Sequence, residues 1–108
     1  VPRTLSYTDT AIADLEAAAT WLRQRGSGPA AWAKLDAILR AIDGLRDHPC
    51  RWPLGRHAGV RERLCAGGWR VFYDVDPDTG RDDTAGNVRV LRVYGPGQER
   101  RGFAPGMG

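Results

Sequence analysis

Apolar positions along the chain follow two different periods, and the change falls near its middle. Leu5 and Tyr7 alternate with Thr4 and Ser6, which predicts a short strand running into Thr8-Asp9-Thr10, a cluster of helix N-cap residue types. Ile12, Leu15, Ala19 and Leu22 then recur at steps of three and four, with Trp21 alongside, so a helix is expected up to the Gly26-Ser27-Gly28 turn. Pro29 opens a second helix at its favoured first position, with an apolar stripe of Trp32, Leu35, Ile38 or Leu39, Ile42 and Leu45. His48-Pro49 closes it, because the residue before a proline is pushed out of the helical region. Two helices of similar length on a short connection predict an antiparallel hairpin.

From Val60 onward the period is two. Val60, Glu62 and Leu64 alternate with Arg61 and Arg63, a turn follows at Ala66-Gly67-Gly68, and Trp69, Val71, Tyr73 and Val75 then alternate with Arg70, Phe72 and Asp74. Asp76-Pro77-Asp78-Thr79-Gly80 through Gly86 is turn chemistry, and Asn87 to Tyr94 is again strand-like, with Leu91 and Val93 on one face and Val88 and Val90 on the other. The order is that of an α+β domain: an N-terminal strand and an α-helical hairpin packed on one face of a small, largely antiparallel β-sheet. The opposite face is expected to stay relatively open and to carry strand arginines, with Phe72 among them.

Composition narrows the class. The chain has 108 residues, 42% hydrophobic and 27% charged, which excludes disordered and collagen-like classes and favours one domain, expected over residues 1–101 with an irregular tail at 102–108. A domain of this size buries one modest core, so chemistry is expected on an open face rather than in a deep pocket, and no cofactor is expected. The most apolar stretch, Ala11 to Leu22, is interrupted by Asp14, Glu16 and Thr20, and the N-terminus has no apolar signal-peptide core; a cytoplasmic location away from the membrane is therefore expected. Cys50 and Cys65 fit neither a zinc spacing nor a disulfide framework and are read as reduced thiols in core or loop.

The net charge of +3 is unevenly spread: residues 1–50 cancel, 51–73 carry +4, 74–86 carry −4 and 87–108 carry +3. Two basic stretches around an acidic loop would suit a polyanion such as RNA or an acidic protein partner, although on charge alone an ordinary solvated surface is the favoured reading. The acidic loop, with Asp74, Asp76, Asp78, Asp82 and Asp83, lacks the glycine and bidentate glutamate spacing of a calcium loop and reads as a solvated hairpin turn, so no metal site is expected.

Five strings in this order resemble the RelE/ParE superfamily of toxins from type II toxin–antitoxin systems. They are Ala11-Ile12-Ala13-Asp14-Leu15, Leu45-Arg46-Asp47-His48-Pro49, Gly55-Arg56 with Gly59-Val60-Arg61-Glu62, the central Gly68-Trp69-Arg70-Val71-Phe72-Tyr73-Asp74-Val75, and Val88-Arg89-Val90-Leu91-Arg92-Val93. The central string is the most specific and is similar to the family's Tyr-Arg-Val-x-Tyr strand, with Trp69 in place of the first tyrosine. The resemblance, from about Leu5 to about Arg101, implies a small bacterial growth-arresting protein held inactive by a cognate antitoxin. Two activities occur on this fold: RelE-like members cut mRNA on the ribosome without a metal, and ParE-like members poison DNA gyrase.

For the ribonuclease reading, which the sequence favours narrowly, the resemblance assigns Arg70 to the scissile phosphate, with a bidentate guanidinium suited to the transition state. His57 is the candidate acid or base, Tyr94 a candidate for base stacking or proton positioning, and Arg100 a further catalytic candidate. Arg56, Arg61, Arg63 and Arg101 are candidates for binding substrate phosphates. Arg70, His57, Tyr94 and Arg100 are expected to converge at one end of the open face, with ribosome and mRNA as partners. Two departures stand against the pattern: the only lysine, Lys34, lies on a helix, so the prototype's catalytic lysines have no counterpart, and Gly95-Pro96-Gly97-Gln98 interrupts the usual tail. For the ParE-like reading the same arginines become interface residues and gyrase the partner. A third reading is an inactive relative that acts only as a binding module.

Overall fold

The computed structural model describes residues 3–24 and 28–95. Strand β1 (Leu5–Tyr7) leads into helix α1 (Asp9–Gln24); α2 (Pro29–Asp43) continues as a single 3-10 turn, Gly44–Arg46; and β2 (Arg61–Leu64), β3 (Arg70–Asp76) and β4 (Asn87–Tyr94) complete the sheet. The strand order is β1-β4-β3-β2, with β1 parallel to β4 and the other pairs antiparallel. Ribbon β3–β4 is the spine of this mixed sheet. The helical hairpin covers one face, as the sequence predicts.

Local chemistry explains each boundary. Thr8 caps α1, its Oγ1 accepting the Ala11 N–H at 3.0 Å while donating to the Leu91 carbonyl at 3.0 Å. Pro29 sits in the first turn of α2, where its missing N–H costs nothing. The second helix ends earlier than His48-Pro49 implies: Gly44 caps it, and the following 3-10 turn swings Leu45 into the core.

The core lies between the hairpin and the sheet. Ala11, Ala18 and Leu22 of α1 and Ile38 and Ile42 of α2 meet Val71, Tyr73 and Val75 of β3 and Val88, Val90 and Val93 of β4. The expected face assignment of β4 needs correction: Val93 shares the inner face with Val88 and Val90, and Leu91 lies on the outer face. A β-bulge is the reason, because Phe72 pairs with Arg92 and Tyr73 with Val90, leaving Leu91 as the extra residue.

The helices carry more apolar surface than the sheet absorbs. Trp32, Ile12 and Leu39 stay 59%, 46% and 41% exposed, and an apolar groove lined by Tyr7, Ile12, Leu15, Ala19, Leu35 and Leu39 runs along the hairpin. Ile38, not Leu39, is the core member of that pair.

Two glycines are fixed by close approach. A Cβ on Gly86 would lie 2.0 Å from the Asp76 carbonyl oxygen, and one on Gly95 would lie 3.0 Å from the Trp69 ring. Trp69 in turn meets Trp21 edge to face at 6.0 Å. Trp69 and Gly95 are thus parts of one packing arrangement. Gly86→Ala is expected to cost at least about 2 kcal/mol, because backbone must move, and Gly95→Ala roughly 1 kcal/mol, because a ring can shift by a few tenths of an ångström. Thermal or urea unfolding of the two variants should show that order.

Candidate functional site: the outer face of the sheet

Register decides which strand residues share the face opposite the helices. One cross-strand row is Glu62, Phe72 and Arg92; the next is Leu64, Arg70 and Tyr94; a third pairs Asp74 with Arg89. Val60, Phe72, Leu91 and Tyr94 form a buried apolar cluster of their own at its centre. Phe72 meets Tyr94 edge to face at 5.6 Å, and His57 from the loop before β2 meets Phe72 edge to face at 6.5 Å. Arg56, Gly59, Asp74, Arg89 and Leu91 line a shallow groove beside His57.

Ion pairs ring this cluster. Arg70 Nη1 binds Glu62 Oε2, diagonally from β3 to β2. Arg89 makes a two-point contact with Asp74, at 2.7 and 3.3 Å, and Arg92 makes another with Asp14 of α1, at 2.9 and 3.2 Å. Hydrogen bonding to these carboxylates raises the pKa of both Arg89 and Arg92. Arg92 also lies over the Tyr94 ring, 4.7 Å from its centroid. Asp14 Oδ2 accepts the Val93 N–H at 2.9 Å, so it holds β4 beyond the point where β1 stops pairing.

The structure therefore brings Arg70, Tyr94 and His57 to one face, with Arg56 at its rim. Arg100 and Arg101 lie outside the described residues, as does the expected tail at 102–108. Arg61 and Arg63 require a correction, because both point to the other side of the sheet. Arg61 pairs in register with Tyr73 and Arg63 with Val71, both core residues of the helix-facing side. Arg63 lies over the Trp52 ring, 4.0 Å from its centroid. Arg61 is buried at 6% exposure and engages Asp78 at both Oδ atoms, 2.8 and 2.9 Å, while Nη1 donates to the Trp52 carbonyl at 2.6 Å. Neither stands with Arg70, so the two do not join it in one phosphate site.

The acidic loop is correspondingly more than a solvated turn. Asp78 holds Arg61, and Asp82 accepts the Cys50 N–H at 2.7 Å and faces His48 Nδ1 at 3.3 Å, so residues 77–86 are tied down onto the loop before β2. The Arg61 hydrogen bonds hold the Asp78 carboxyl below the ordinary 3.8, and the Cys50 N–H does the same for Asp82. Burial pushes the thiols of Cys50 and Cys65 up, which leaves them poor nucleophiles at neutral pH; both are free. Among the described residues no group of three or more His, Cys, Asp or Glu is placed to hold a metal.

Sequence reasoning missed Glu62, Asp14 and Asp78 as partners of named arginines. Glu62 had a legible signal, since it shares the outward phase of Phe72 once the hairpin register is known. Asp14 and Asp78 had none, because their partners are 78 and 17 residues away.

A carboxylate with a depressed folded pKa adds stability that is present above its unfolded value and is lost as pH falls through the folded one. Asp78 is expected to behave so below about pH 4. Asp78→Asn should lower stability at neutral pH by about 3 kcal/mol, since it leaves Arg61 buried without its counter-charge, and should flatten the acid limb of the unfolding profile. Urea melts across pH 3 to 7 check both.

Residues 5–95 match the family model described as the ParE toxin of type II toxin-antitoxin systems, parDE. Among solved structures, the chain is similar to one from the chromosomal ParDE toxin-antitoxin system of P. aeruginosa, with a TM-score of 0.71 and 16% identity over 88% of this chain and 97% of that one. It is also similar to a chain of the RelBE2 toxin-antitoxin complex of Mycobacterium tuberculosis, with a TM-score of 0.57 and 27% identity over 91% of this chain and 95% of that one. No curated protein matches it. At 16% identity the first likeness speaks for the fold, and the family model carries the assignment across β1 to β4: the chain is a type II toxin of the ParE family, within the RelE/ParE superfamily.

Proposed function

We propose that this toxin arrests growth by docking the outer face of its sheet on a protein target, in the ParE-like manner that makes DNA gyrase the expected target. The observation that carries this reading is the pairing of the strand arginines. Arg70, Arg89 and Arg92 are each matched by a carboxylate, Glu62, Asp74 and Asp14, around an aromatic and aliphatic centre. A surface that sets charges of both signs side by side suits a protein partner, whereas a phosphate site concentrates positive charge. The match to the ParE family model points the same way. A ribosome-dependent ribonuclease is favoured by one feature, the register pairing of Arg70 with Tyr94, which sets the two residues on the same face of neighbouring strands.

The second partner in this reading is a cognate antitoxin. The groove along the hairpin, with Ile12, Leu35 and Leu39 on its walls, suits the apolar stripe of an amphipathic helix. This seat lies on the hairpin, on the other side of the sheet from the target-binding face.

Purified toxin added to a gyrase supercoiling reaction is expected to inhibit it, and a parallel cell-free translation reaction should show no new ribosome-dependent RNA 5′ ends. Ribosome-dependent ends that vanish in Arg70→Ala, with gyrase unaffected, would replace this reading with the ribonuclease. Leu39→Asp should weaken antitoxin binding at least roughly tenfold while leaving toxicity in place, as measured by titration calorimetry and by growth arrest without antitoxin.

A further inference from the structure

Two carboxylates of the outer face sit against its arginines. Arg70 and Arg89 project from neighbouring strands on the same side of the sheet, and each is met by one acidic side chain, Glu62 from β2 and Asp74 from β3. Stability does not explain both pairs. Arg89 is 56% exposed, and solvent screens an ion pair of that kind, so it adds little to stability. Their effect on charge is larger: the three strand arginines and their three carboxylates sum to zero, where the same arginines beside neutral amides at positions 62 and 74 would leave +2.

We propose that Glu62 and Asp74 are specificity-determining residues that keep the outer face from acting as a polyanion site and reserve it for a protein surface of mixed charge. The inference rests on the protein-target reading above and names the chemistry of the surface it would take. A phosphate approaching Arg70 has either to share the guanidinium with Glu62 or to displace it, and that carboxylate repels it in both cases. The same holds at Arg89 and Asp74. A protein surface carrying its own carboxylates and cations meets no such penalty, because each displaced group finds a new partner of opposite sign. Rejection of the wrong ligand by a like charge, alongside attraction of the right one, is how charged interfaces discriminate. Glu62 thus acts through Arg70, and Asp74 through Arg89; neither is required to touch the target.

The test measures binding of a fluorescent single-stranded oligouridine of about 20 nucleotides to the full chain, by anisotropy over a salt series. Compared are the wild type, Glu62→Gln, Asp74→Asn, their double variant, and Asp36→Asn/Asp43→Asn, which removes the same charge from α2, where Asp36 faces Arg40 and Asp43 faces Arg46. The outer-face double variant should bind roughly tenfold tighter than the wild type at low salt. Its log–log salt slope should steepen by about 1.4, as expected for two added phosphate contacts on a single strand. The α2 double variant should stay close to the wild type. Equal affinities for the two double variants would overturn the proposal, since net charge alone would then account for any gain. Should the outer-face double variant fail to fold, by circular dichroism, each single variant against Asp36→Asn makes the same comparison. A gyrase supercoiling assay on the wild type separates the two levels. Inhibition without any gain in RNA affinity removes the specificity role and leaves the protein-target reading standing, and a gain without inhibition does the reverse.

Discussion

The bulge at Leu91 is the constraint on which the rest of the domain depends. Up to Val90, strand β4 alternates normally, with Val88 and Val90 turned to the helices. Without an inserted residue, continued alternation would turn Arg92 into the core and Val93 out of it, because the side-chain period of a strand is two. The extra residue resets the phase, so Val93 returns to the inner face while Leu91 and Tyr94 join Val60 and Phe72 outside. The same irregularity leaves polar backbone groups that the short β1 does not reach. Helix α1 and its capping residue supply their partners: Thr8 Oγ1 donates to the Leu91 carbonyl, and Asp14 accepts from the Val93 N–H. One residue of slack in β4 thereby fixes where α1 begins, how it lies on the sheet, and which side chains form the outer face.

The sheet then separates two polar systems built from the same residue types. On the inner side, Arg61 is buried against Asp78 and backbone carbonyls, and it fastens the β3–β4 connection to the loop before β2. Nothing outside the molecule is needed to satisfy it. On the outer side, Arg70 and Arg89 are paired but partly exposed, so a docking surface can exchange their partners without leaving a buried charge uncompensated. An arginine's role here is set by the parity of its position in a strand more than by its neighbours in sequence. Arg61 and Arg63 fall on one parity of β2 and Glu62 on the other, and only the second communicates with Arg70.

That parity also marks how far the sequence is legible. The order of elements, the helical hairpin and the strand character of β2, β3 and β4 follow from periodicity, and the outward placement of Arg70 and Phe72 follows with them. The faces of Leu91 and Val93 do not, because a bulge carries no residue signature here: Leu91 is an ordinary strand former, and only its register against Phe72 and Tyr73 shows it to be extra. The arginines divided for the same reason. Alternation separates Arg61 from Glu62, but which parity faces the helices depends on pairing with β3. Asp78, in a stretch that reads as a turn, is recruited by a buried cation that local sequence does not reveal.

Trp69 and Gly95 are coupled through one close contact. The indole just before β3 lies against the chain leaving β4. A side chain at position 95 would press on the ring, so glycine there is the steric counterpart of tryptophan at 69. The ring's other contact is Trp21 of α1, so the indole joins the end of the sheet to the helical hairpin. The chain leaving β4 at Gly95 is thereby tied to the same core that positions Arg70 and Tyr94 in adjacent register.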